Sequence, residues 1–298
     1  MMFCGGGADG DDRAHAAEHH EGHGDKGAAR RHQAGDHADD RALLISGGKH
    51  EPVIPEAVGS DALPVPVTDV RFVGMLGETA CWTARAVDDK VPEGYRYEAV
   101  RALFNRLPDE LLAVAGRAVQ VVEFDRTHHF CGACATPTVI HEGGRSRKCP
   151  NCGETAYPRV APAMMVLIKR DTRFGRELLL ARSPRFPGSM YSALAGFVEP
   201  SESIEDCIHR EAFEEVGVRL GAVHYHGSQG WPFPHSLMIA FVADYASGDI
   251  VCQEDEIEDA QWFNLDNLPQ LPHRLSIARR LINATIAEVA PNHPALQI

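Results

Sequence analysis

The chain has 298 residues, and its 42 acidic residues outnumber its 29 basic ones to give a formal net charge of −13. This length predicts two folded units with a sizeable core, and the negative charge argues against broad affinity for nucleic-acid backbones. The sequence contains no run of about 18 apolar residues, so no membrane span is predicted. Residues 1–7 lack the basic and apolar regions of a signal peptide. We therefore expect a cytoplasmic protein.

Residues 1–40 are rich in Gly, Ala, Asp and His and show almost no apolar periodicity. Such a segment cannot bury enough surface to offset the entropy of folding, so it is predicted to be a disordered tail. Six histidines of this segment could chelate a metal weakly: His15, His19, His20, His23, His32 and His37. The favoured interpretation is a tail without catalytic consequence, or an upstream start codon.

Residues 41–126 are globular in character and are predicted to form a small N-terminal domain. The runs 70–76 and 80–85 are typical of strands. The apolar periodicity of residues 109–120 predicts an amphipathic helix.

Two pairs of cysteines follow, Cys131 with Cys134 and Cys149 with Cys152, in the spacing C-x2-C-x14-C-x2-C. Two such knuckles can bring four thiolates into a tetrahedron around Zn²⁺. Because all four ligands are cysteine, no position is left for water, and the zinc is predicted to be structural. The alternatives are two disulfides, which need an oxidising compartment, or four unrelated thiols.

The remaining cysteines, Cys4, Cys81, Cys207 and Cys252, are scattered along the chain, and no chemistry is predicted for any of them. Cys207 falls on the apolar side of the helix described below, so it is predicted to pack in the core.

Beyond the cysteines, the runs 163–168, 177–181 and 236–243 predict buried strands, and residues 276–289 predict a closing helix. These elements flank a further helix within the segment 196–218. Together they agree with an α/β/α sandwich built on a mixed sheet.

The segment 196–218 follows the pattern G-x5-E-x7-R-E-U-x-E-E-x-G-U, in which U is apolar. At about 100° per residue from Ile204, Ile208 and Ala212 fall at about 40° and 80°, on the face that a helix buries. Glu211 and Glu215 fall inside that face, at about 340° and 20°, and Glu214 lies at its edge, at about 280°. Three carboxylates in one apolar arc repel each other and lose hydration unless a cation joins them. Carboxylate oxygens suit hard cations such as Mg²⁺ or Mn²⁺.

Local signals specify this helix well. Ser203 can cap its first turn, with Asp206 near the position of a capping box. Gly217 suits the left-handed residue that ends a helix, and Gly196 is expected to let the preceding strand turn sharply. Arg210 and Glu214 are spaced to form an ion pair. The alternative interpretation is an acidic amphipathic helix laced with salt bridges, which would place its acids near 180°, where Phe213 lies instead.

Residues 228–238 alternate two prolines with two large aromatic residues, Trp231 and Phe233. Prolines restrict the backbone, so a stiff, extended segment is predicted. Its rings could stack on a planar base, or they could fill the core, and the segment alone favours neither.

The segment 196–218 resembles the Nudix box, a strand, loop and helix with which that family binds divalent cations and hydrolyses a pyrophosphate linked to another moiety. A zinc ribbon before the box, and Ser-Gln-x-Trp-Pro-Phe-Pro-x-Ser after it, are similar to the NADH pyrophosphatases, which are also known as NAD-capped RNA hydrolases. The resemblance covers roughly residues 95–285, including the stretches 115–120, 123–124, 157–159 and 278–282.

The resemblance implies that Glu211, Glu214 and Glu215 bind the divalent metal and that one of them helps to activate water. It adds as metal ligands the backbone carbonyl of Ala195 and the carboxylate of Glu256, which lies in an acidic run whose other charges are mostly expected to be solvated. The substrate-binding residues that it implies are Arg101, Tyr157, Gln229, Gly230, Trp231, Pro232, Phe233, Pro234, His235, Ser236 and Ala278. Gly230 departs from the proline of the family motif and would loosen the backbone there. Gly144 occupies a position at which the family has another substrate-binding residue, and no substrate-binding role is assigned to Gly144.

These observations predict an α+β protein with a Nudix α/β/α sandwich at 158–290, preceded by a zinc ribbon at 127–157 and the N-terminal domain, expected to be Nudix-like, at 41–126. The expected reaction cleaves the pyrophosphate of NADH or NAD⁺ to give nicotinamide mononucleotide and AMP. One alternative is that the chain chiefly removes NAD caps from RNA, and a remote one is a non-catalytic nucleotide- or RNA-binding module. The resemblance also implies a homodimer.

Overall fold

The computed structural model describes residues 2–5, 42–47, 52–54, 62–88, 90–186 and 188–297. It divides into two compact units, Met1–Pro158 and Arg159–Ile298. The histidines predicted to lie in a tail fall outside the described residues. The domain boundaries given above remain predictions.

The first unit contains nine strands and one long helix among its described residues. The strands are β1 (Met2–Gly5), β2 (Ala42–Gly47), β3 (Pro52–Val53), β4 (Val67–Leu76), β5 (Thr79–Ala86), β6 (Arg96–Ala99), β7 (Val139–His141), β8 (Ser146–Lys148) and β9 (Thr155–Ala156). They form three sheets of three strands, in the orders β1-β5-β4, β3-β2-β6 and β7-β8-β9. Short 3₁₀ helices cover Val100–Leu103 and Glu142–Gly144.

Strands β4 and β5 lie where the sequence predicts them and form an antiparallel hairpin around Gly77, whose φ is +60°. Strand β1 differs from expectation, because Met2–Gly5 lies in the segment predicted to be disordered and pairs with β5. The prediction for these four residues is wrong for a physical reason: a strand can add to a sheet edge through backbone hydrogen bonds without an apolar core of its own.

Helix α1 (Asp109–Thr127) starts where predicted and runs seven residues further. It packs on β4 and β5 through a buried face that includes Leu112, Ala115 and Phe124. The apolar pattern did not predict the extension because Asp125 is polar. Asp125 is nevertheless buried and forms an ion pair with Arg71, so it continues the inward face of the helix.

The second unit is built on a six-stranded mixed sheet with a helix on each face. Its elements are β10 (Ala161–Thr172), β11 (Gly175–Arg182), β12 (Leu194–Phe197), α2 (Ile204–Val216), β13 (Arg219–Trp231), β14 (Ser236–Ser247), β15 (Asp259–Asn264) and α3 (Ile277–Ala287). The strand order is β13-β14-β10-β11-β15, with β12 pairing to β10. Only β10 and β14 are parallel among these pairs. Short 3₁₀ helices cover Leu265–Asn267 and Pro294–Gln297.

Alternation along β10 divides the core between the two helices, since successive side chains of a strand point to opposite faces. Met164, Val166 and Ile168 pack in the cluster that contains the buried face of α2. Met165 and Leu167 pack in the cluster that contains the buried face of α3. The predicted α/β/α sandwich with a mixed sheet is confirmed. Among the described residues, no helix is both long and apolar enough to cross a bilayer.

Candidate active site

Helix α2 begins and ends as the sequence predicts. The Ser203 hydroxyl accepts a hydrogen bond from the Asp206 backbone N–H at 3.1 Å and donates to the Asp206 carboxylate at 2.7 Å. Gly217 ends the helix in the left-handed conformation, with φ of 75°. These caps fix where the helix starts, and hence which residues face inward.

The acids of α2 are divided as the helical projection predicts. Glu211 and Glu215 are only 9% and 4% exposed, beside the fully buried Ile208 and Ala212. The side chain of Glu214 is 52% exposed. The alternative of a purely solvated acidic face is therefore excluded for two of the three carboxylates.

Arg210 connects the helix to the loop that precedes it. Its guanidinium donates to Glu214 at 3.0 Å, as the i,i+4 spacing predicts, and also to Glu211 at 2.9 Å. It makes two further bonds to Glu202, at 2.7 and 2.9 Å, and lowers the pKa of that carboxyl to about 2. Sequence reasoning assigned no role to Glu202, although the fixed glutamate of the box pattern was a signal for it.

Gly196 differs from its expected role. It does not turn the chain, because it lies inside β12 and pairs in register with Met164. A Cβ built at this position would lie 2.0 Å from the carboxyl carbon of Glu211. The glycine is therefore required for the close approach of this carboxylate to the strand, since any side chain would displace it.

Glu215 is the most perturbed acid of the site. Its Oε2 is buried and has no hydrogen-bond partner among the described residues. Burial, reinforced by the negative charges of Glu211 and Glu256, raises its pKa to about 8. Burial also raises the pKa of Glu211, although Arg210 opposes the shift. A buried carboxylate without a partner is costly, and a cation that joins it to its neighbours would offset that cost.

The loop that carries Glu256 lies against the end of α2. The backbone N–H of Gln253 donates to the Glu215 carbonyl at 3.0 Å, and that of Val251 donates to the Val216 carbonyl at 3.0 Å. Glu256 itself is exposed, and its charge acts on both buried glutamates. The long-range pairing of this loop with the helix could not be read from the sequence.

Two neighbouring acids of this loop are engaged elsewhere. Glu258 pairs with Arg182 at 3.2 Å, and Asp259 accepts hydrogen bonds from Tyr191 and Gln261. These contacts leave Glu254, Asp255 and Glu256, and of these three only the charge of Glu256 acts on both buried glutamates.

The residues present fit a hard divalent cation, because the donors are carboxylate oxygens and one buried oxygen, Oε2 of Glu215, has no partner within the described ranges. Ala195 precedes Gly196 in β12 and pairs with Met165, so its backbone lies next to the strand position that Glu211 approaches. Among the described residues, the carboxylates do not form a compact group comparable to the cysteines described next. Mg²⁺ does not require one, since it usually keeps several water ligands.

The four predicted zinc ligands come together in the first unit. The Sγ atoms of Cys131, Cys134, Cys149 and Cys152 all lie within 4.8 Å of one another, with Cys134 3.5 Å from Cys149. This separation is too long for a disulfide and suits thiolates around one Zn²⁺. Each knuckle closes through a backbone bond, from Ala135 to Cys131 at 2.8 Å and from Gly153 to Cys149 at 3.1 Å.

The aromatic segment is extended at both ends, in β13 and β14, but it turns at residues 232–235, where the prediction of one stiff, extended segment is wrong. Strand β13 continues to Trp231, which pairs with Ser236 at the start of β14, so the four residues between them must reverse the chain. The rings of Trp231 and Phe233 contact each other edge to face, with centroids 5.2 Å apart. The prolines restrict a hairpin turn at these positions.

Gln229 ties this hairpin to the start of α3. Its side-chain amide donates to the Leu275 carbonyl at 2.9 Å and accepts from the Ile277 backbone N–H at 2.7 Å. Ala278, the next residue of the helix, is buried. The structure thus brings Gln229 next to the turn of helix that contains Ala278, two residues that the family resemblance assigns to one site. Gly230 follows Gln229 and pairs in register with Leu237 just before the turn. A Cβ at this position would have no atom within 4 Å.

Arg101 and Tyr157 lie in the first unit, whereas the box and the hairpin lie in the second. Both are exposed; Arg101 belongs to a 3₁₀ helix, and Tyr157 follows β9.

Three family profiles match the chain. Residues 159–284 match the NUDIX domain, residues 126–157 the NADH pyrophosphatase zinc ribbon domain, and residues 37–123 the NADH pyrophosphatase-like rudimentary NUDIX domain. These matches agree with the sandwich, the four-cysteine cluster and an additional N-terminal domain.

Curated relatives are similar over most of their length. The protein named NAD-capped RNA hydrolase NudC of Deinococcus radiodurans is 51% identical over 218 residues, which span 73% of this chain and 78% of that protein. Its namesake from Chromobacterium violaceum is 50% identical over 216 residues, 72% of this chain and 80% of that protein. The chain therefore belongs to the Nudix hydrolase family, among the zinc-ribbon proteins related to NAD-capped RNA hydrolase NudC.

Proposed function

We propose that this Nudix hydrolase cleaves the pyrophosphate of NADH or NAD⁺ and releases nicotinamide mononucleotide, in the matching redox state, and AMP. The observation that carries the proposal is the pair of buried carboxylates on α2. Glu211 lies against Gly196, and Glu215 keeps an oxygen without a hydrogen-bond partner in the described part of the chain. Such a site is unfavourable unless a cation and its anionic substrate complete it.

The proposed metal ligands are the carboxylates of Glu211, Glu214, Glu215 and Glu256, with the backbone carbonyl of Ala195. Mg²⁺ or Mn²⁺ bound there would neutralise the phosphates and make water a better nucleophile. Arg210 holds Glu211 and Glu214 in fixed positions through its hydrogen bonds. One of the box glutamates accepts the proton of the attacking water while the bond between the bridging oxygen and phosphorus breaks.

The proposed substrate-binding residues are Arg101, Tyr157, residues 229–236 and Ala278. Support comes from the bonds of Gln229 to the start of α3, which hold the Trp231–Phe233 ring pair and Ala278 on neighbouring elements. The proposed assembly is a homodimer, which the family resemblance implies. The proposed compartment is the cytoplasm, because a zinc site of four thiolates suits a reducing environment.

Replacing Glu215 tests the assignment of the box. Glu215→Gln keeps the shape of the side chain but removes a charge needed to hold the cation, so turnover of NADH should fall by orders of magnitude. Glu205→Gln changes an exposed acid of the same helix and should leave turnover unchanged. Circular dichroism and zinc content would show that both variants fold. Near-wild-type activity of Glu215→Gln in folded protein would refute the assignment.

A second candidate, the removal of NAD caps from RNA, is favoured by the printed names of the curated relatives. The net charge of −13 implies that such an RNA would be held mainly at its cap. Turnover of NADH, NAD⁺, ADP-ribose, diadenosine polyphosphates and NAD-capped RNA at matched concentrations, with products identified, separates the candidates. No cleavage of capped RNA would retire the second, and binding of NADH without hydrolysis in excess Mg²⁺ or Mn²⁺ would instead indicate a non-catalytic module.

A further inference from the structure

The loop that carries Glu256 is attached to the second unit at both of its ends. Its N-terminal part bonds to the end of α2. Its middle forms one helical turn, in which the backbone N–H of Ile257 donates to the Gln253 carbonyl at 2.8 Å and the Ile257 side chain is buried. At the C-terminal end, the backbone N–H of Glu258 donates to the Arg182 carbonyl at 2.8 Å. Glu256 therefore lies between two anchors.

Side-chain contacts reinforce the C-terminal anchor. The guanidinium of Arg182 pairs with the Glu258 carboxylate at 3.2 Å and lies over the Tyr191 ring, 5.6 Å from its centroid. The Tyr191 hydroxyl donates a hydrogen bond to the Asp259 carboxylate. Because Glu258 and Asp259 directly follow the helical turn, both contacts restrain the chain within three residues of Glu256.

Tyr191 is itself held in place by the rest of the second unit. Its backbone N–H donates to the Gln270 carbonyl at 2.9 Å, and its ring meets the Phe263 ring edge to face, with centroids 5.1 Å apart. The side chain also packs against the buried cluster that contains the inward face of α3. The ring is therefore a fixed support for the Arg182 guanidinium.

We propose that Arg182 is a positioning residue, which acts through Glu258 and the Tyr191 ring to hold the Glu256 carboxylate beside those of Glu211 and Glu215. The charge of Glu256 already acts on both of these buried acids. The inference rests on the proposed function, because the position of Glu256 matters for the cation only if Glu256 is one of its ligands.

The charge of Arg182 has the opposite effect on a cation from its positioning role. A positive charge repels a cation bound nearby, and its removal would also leave the negative charge of Glu258 uncompensated. By electrostatics alone, loss of Arg182 would therefore tighten cation binding. Loss of an orienting partner would weaken it. The sign of the change in affinity separates the two roles.

Binding of Mn²⁺ to the zinc-loaded, full-length protein without substrate tests the proposal. The electron paramagnetic resonance signal of free Mn²⁺ measures binding, and Zn²⁺ is d¹⁰ and gives no signal. Arg182→Gln should weaken the tightest Mn²⁺ site about tenfold, the lower end of what loss of an orienting partner costs. Unchanged or tighter binding would overturn the proposal.

A conservative variant gives a second reading of the sign. Arg182→Lys restores a positive charge that can reach Glu258, so it should bind Mn²⁺ more tightly than Arg182→Gln does, although electrostatics alone predicts the reverse. Weaker binding by Arg182→Lys than by Arg182→Gln would contradict the positioning role. The Arg182 side chain is 26% exposed, so neither substitution is expected to unfold the protein, and circular dichroism and zinc content check this.

Arg170 provides a matched control in the same sheet. Its guanidinium pairs with Glu177 at 2.7 Å and lies over the Trp262 ring, 4.0 Å from its centroid. These partners belong to β11 and β15 rather than to the loop of Glu256. Arg170→Gln should therefore leave the affinity for Mn²⁺ unchanged. A loss equal to that of Arg182→Gln would indicate a general weakening of the sheet and would overturn the proposal.

Glu256→Gln separates this inference from the proposed function. It should weaken Mn²⁺ binding, and adding Arg182→Gln to it should cause no further loss, because Arg182 acts through Glu256. Wild-type affinity in Glu256→Gln would show that Glu256 is not a ligand, so the metal assignment would fail together with this inference. If Glu256→Gln weakens binding and the loss from Arg182→Gln adds to it in full, only the positioning role fails.

Discussion

Glu215 shows how one residue couples the fold to the expected cation. Its carboxyl is buried beside two other acids, which raises its pKa from 4.5 to about 8. Between these values the folded protein binds more protons than the unfolded chain does. The contribution of this group to stability is therefore complete below about pH 4.5 and is lost as the pH rises towards 8.

The corresponding prediction concerns zinc-loaded protein dialysed free of other divalent ions. The free energy of unfolding by urea should fall from about pH 5 to about pH 8 more steeply in the wild type than in Glu215→Gln, because the amide does not titrate. Added Mg²⁺ or Mn²⁺ should reduce the difference, since a cation favours the ionised carboxylate. Equal slopes for the two proteins would show that Glu215 does not titrate in this range.

Two glycines of the second unit form a matched pair for the next prediction. Gly196→Ala puts a methyl group at the position of the Glu211 carboxylate, 2.0 Å from its carboxyl carbon. The flexible end of Glu211 can move away, so the fold should survive while kcat for NADH falls at least about tenfold, the equivalent of about 1.4 kcal/mol.

Gly221→Ala is the control, because its Cβ would make only ordinary contacts with Asp244, at 3.5 Å or more, and the glycine has no positive φ. It should keep activity and stabilise the protein by about 0.4–1 kcal/mol, through a smaller entropy of the unfolded chain. Steady-state kinetics and thermal melting measure both effects. Equal activity of the two variants would contradict the close approach of Glu211 to β12.

At the scale of elements, a buried ion-pair cluster joins helix α1 to strands β4 and β8. Asp125 of α1 pairs with Arg71 of β4 at 2.8 Å and with Arg147 of β8 at 2.9 Å. Arg147 also donates to the Thr138 hydroxyl at 2.8 Å. Each of the three charged side chains is less than 10% exposed. The cluster connects the N-terminal strands, the helix and the zinc-ribbon sheet within the first unit.

Asp125→Ala should therefore destabilise the first unit by about 3–5 kcal/mol, because it leaves two buried arginines without their counter-ion. Glu123→Ala on the same helix removes a pair with the exposed Arg126 and should cost at most about 1 kcal/mol. Urea unfolding, together with release of zinc to a chromogenic chelator, measures both. Similar losses for the two variants would show that burial does not strengthen the cluster.

Elements with strong local signals were predictable, and those that depend on distant partners were not. The caps at Ser203 and Gly217 act within one turn, so the bounds of α2 followed from the sequence. The extension of α1 depends on Asp125 meeting arginines from two other elements. The hairpin turn after Trp231 depends on the pairing of β13 with β14, so its prolines alone suggested an extended segment.

At the scale of the whole molecule, the two metal centres are expected to have separate roles. The four-cysteine cluster belongs to the first unit and the box glutamates to the second. Removal of zinc should lower the melting temperature, or dissociate the proposed dimer, more than it changes kcat. After the chelator is removed and Mg²⁺ is restored, differential scanning calorimetry, sedimentation and steady-state kinetics measure the three quantities. Restoration of turnover by Zn²⁺ in a folded, zinc-free protein would contradict a purely structural role.

The sequence by itself determined which cysteines form the four-thiol cluster and which acids of the box face inward. Ligand type and spacing named the four cysteines, and helical periodicity placed Glu211 and Glu215 on the buried face, because both arguments need only local geometry. Only the tertiary structure decided that Gly196 accommodates Glu211, that the loop of Glu256 lies against α2, and that Gln229 holds the start of α3. These contacts join residues distant in the chain, and their register and packing arise only when strands pair and helices cover the sheet.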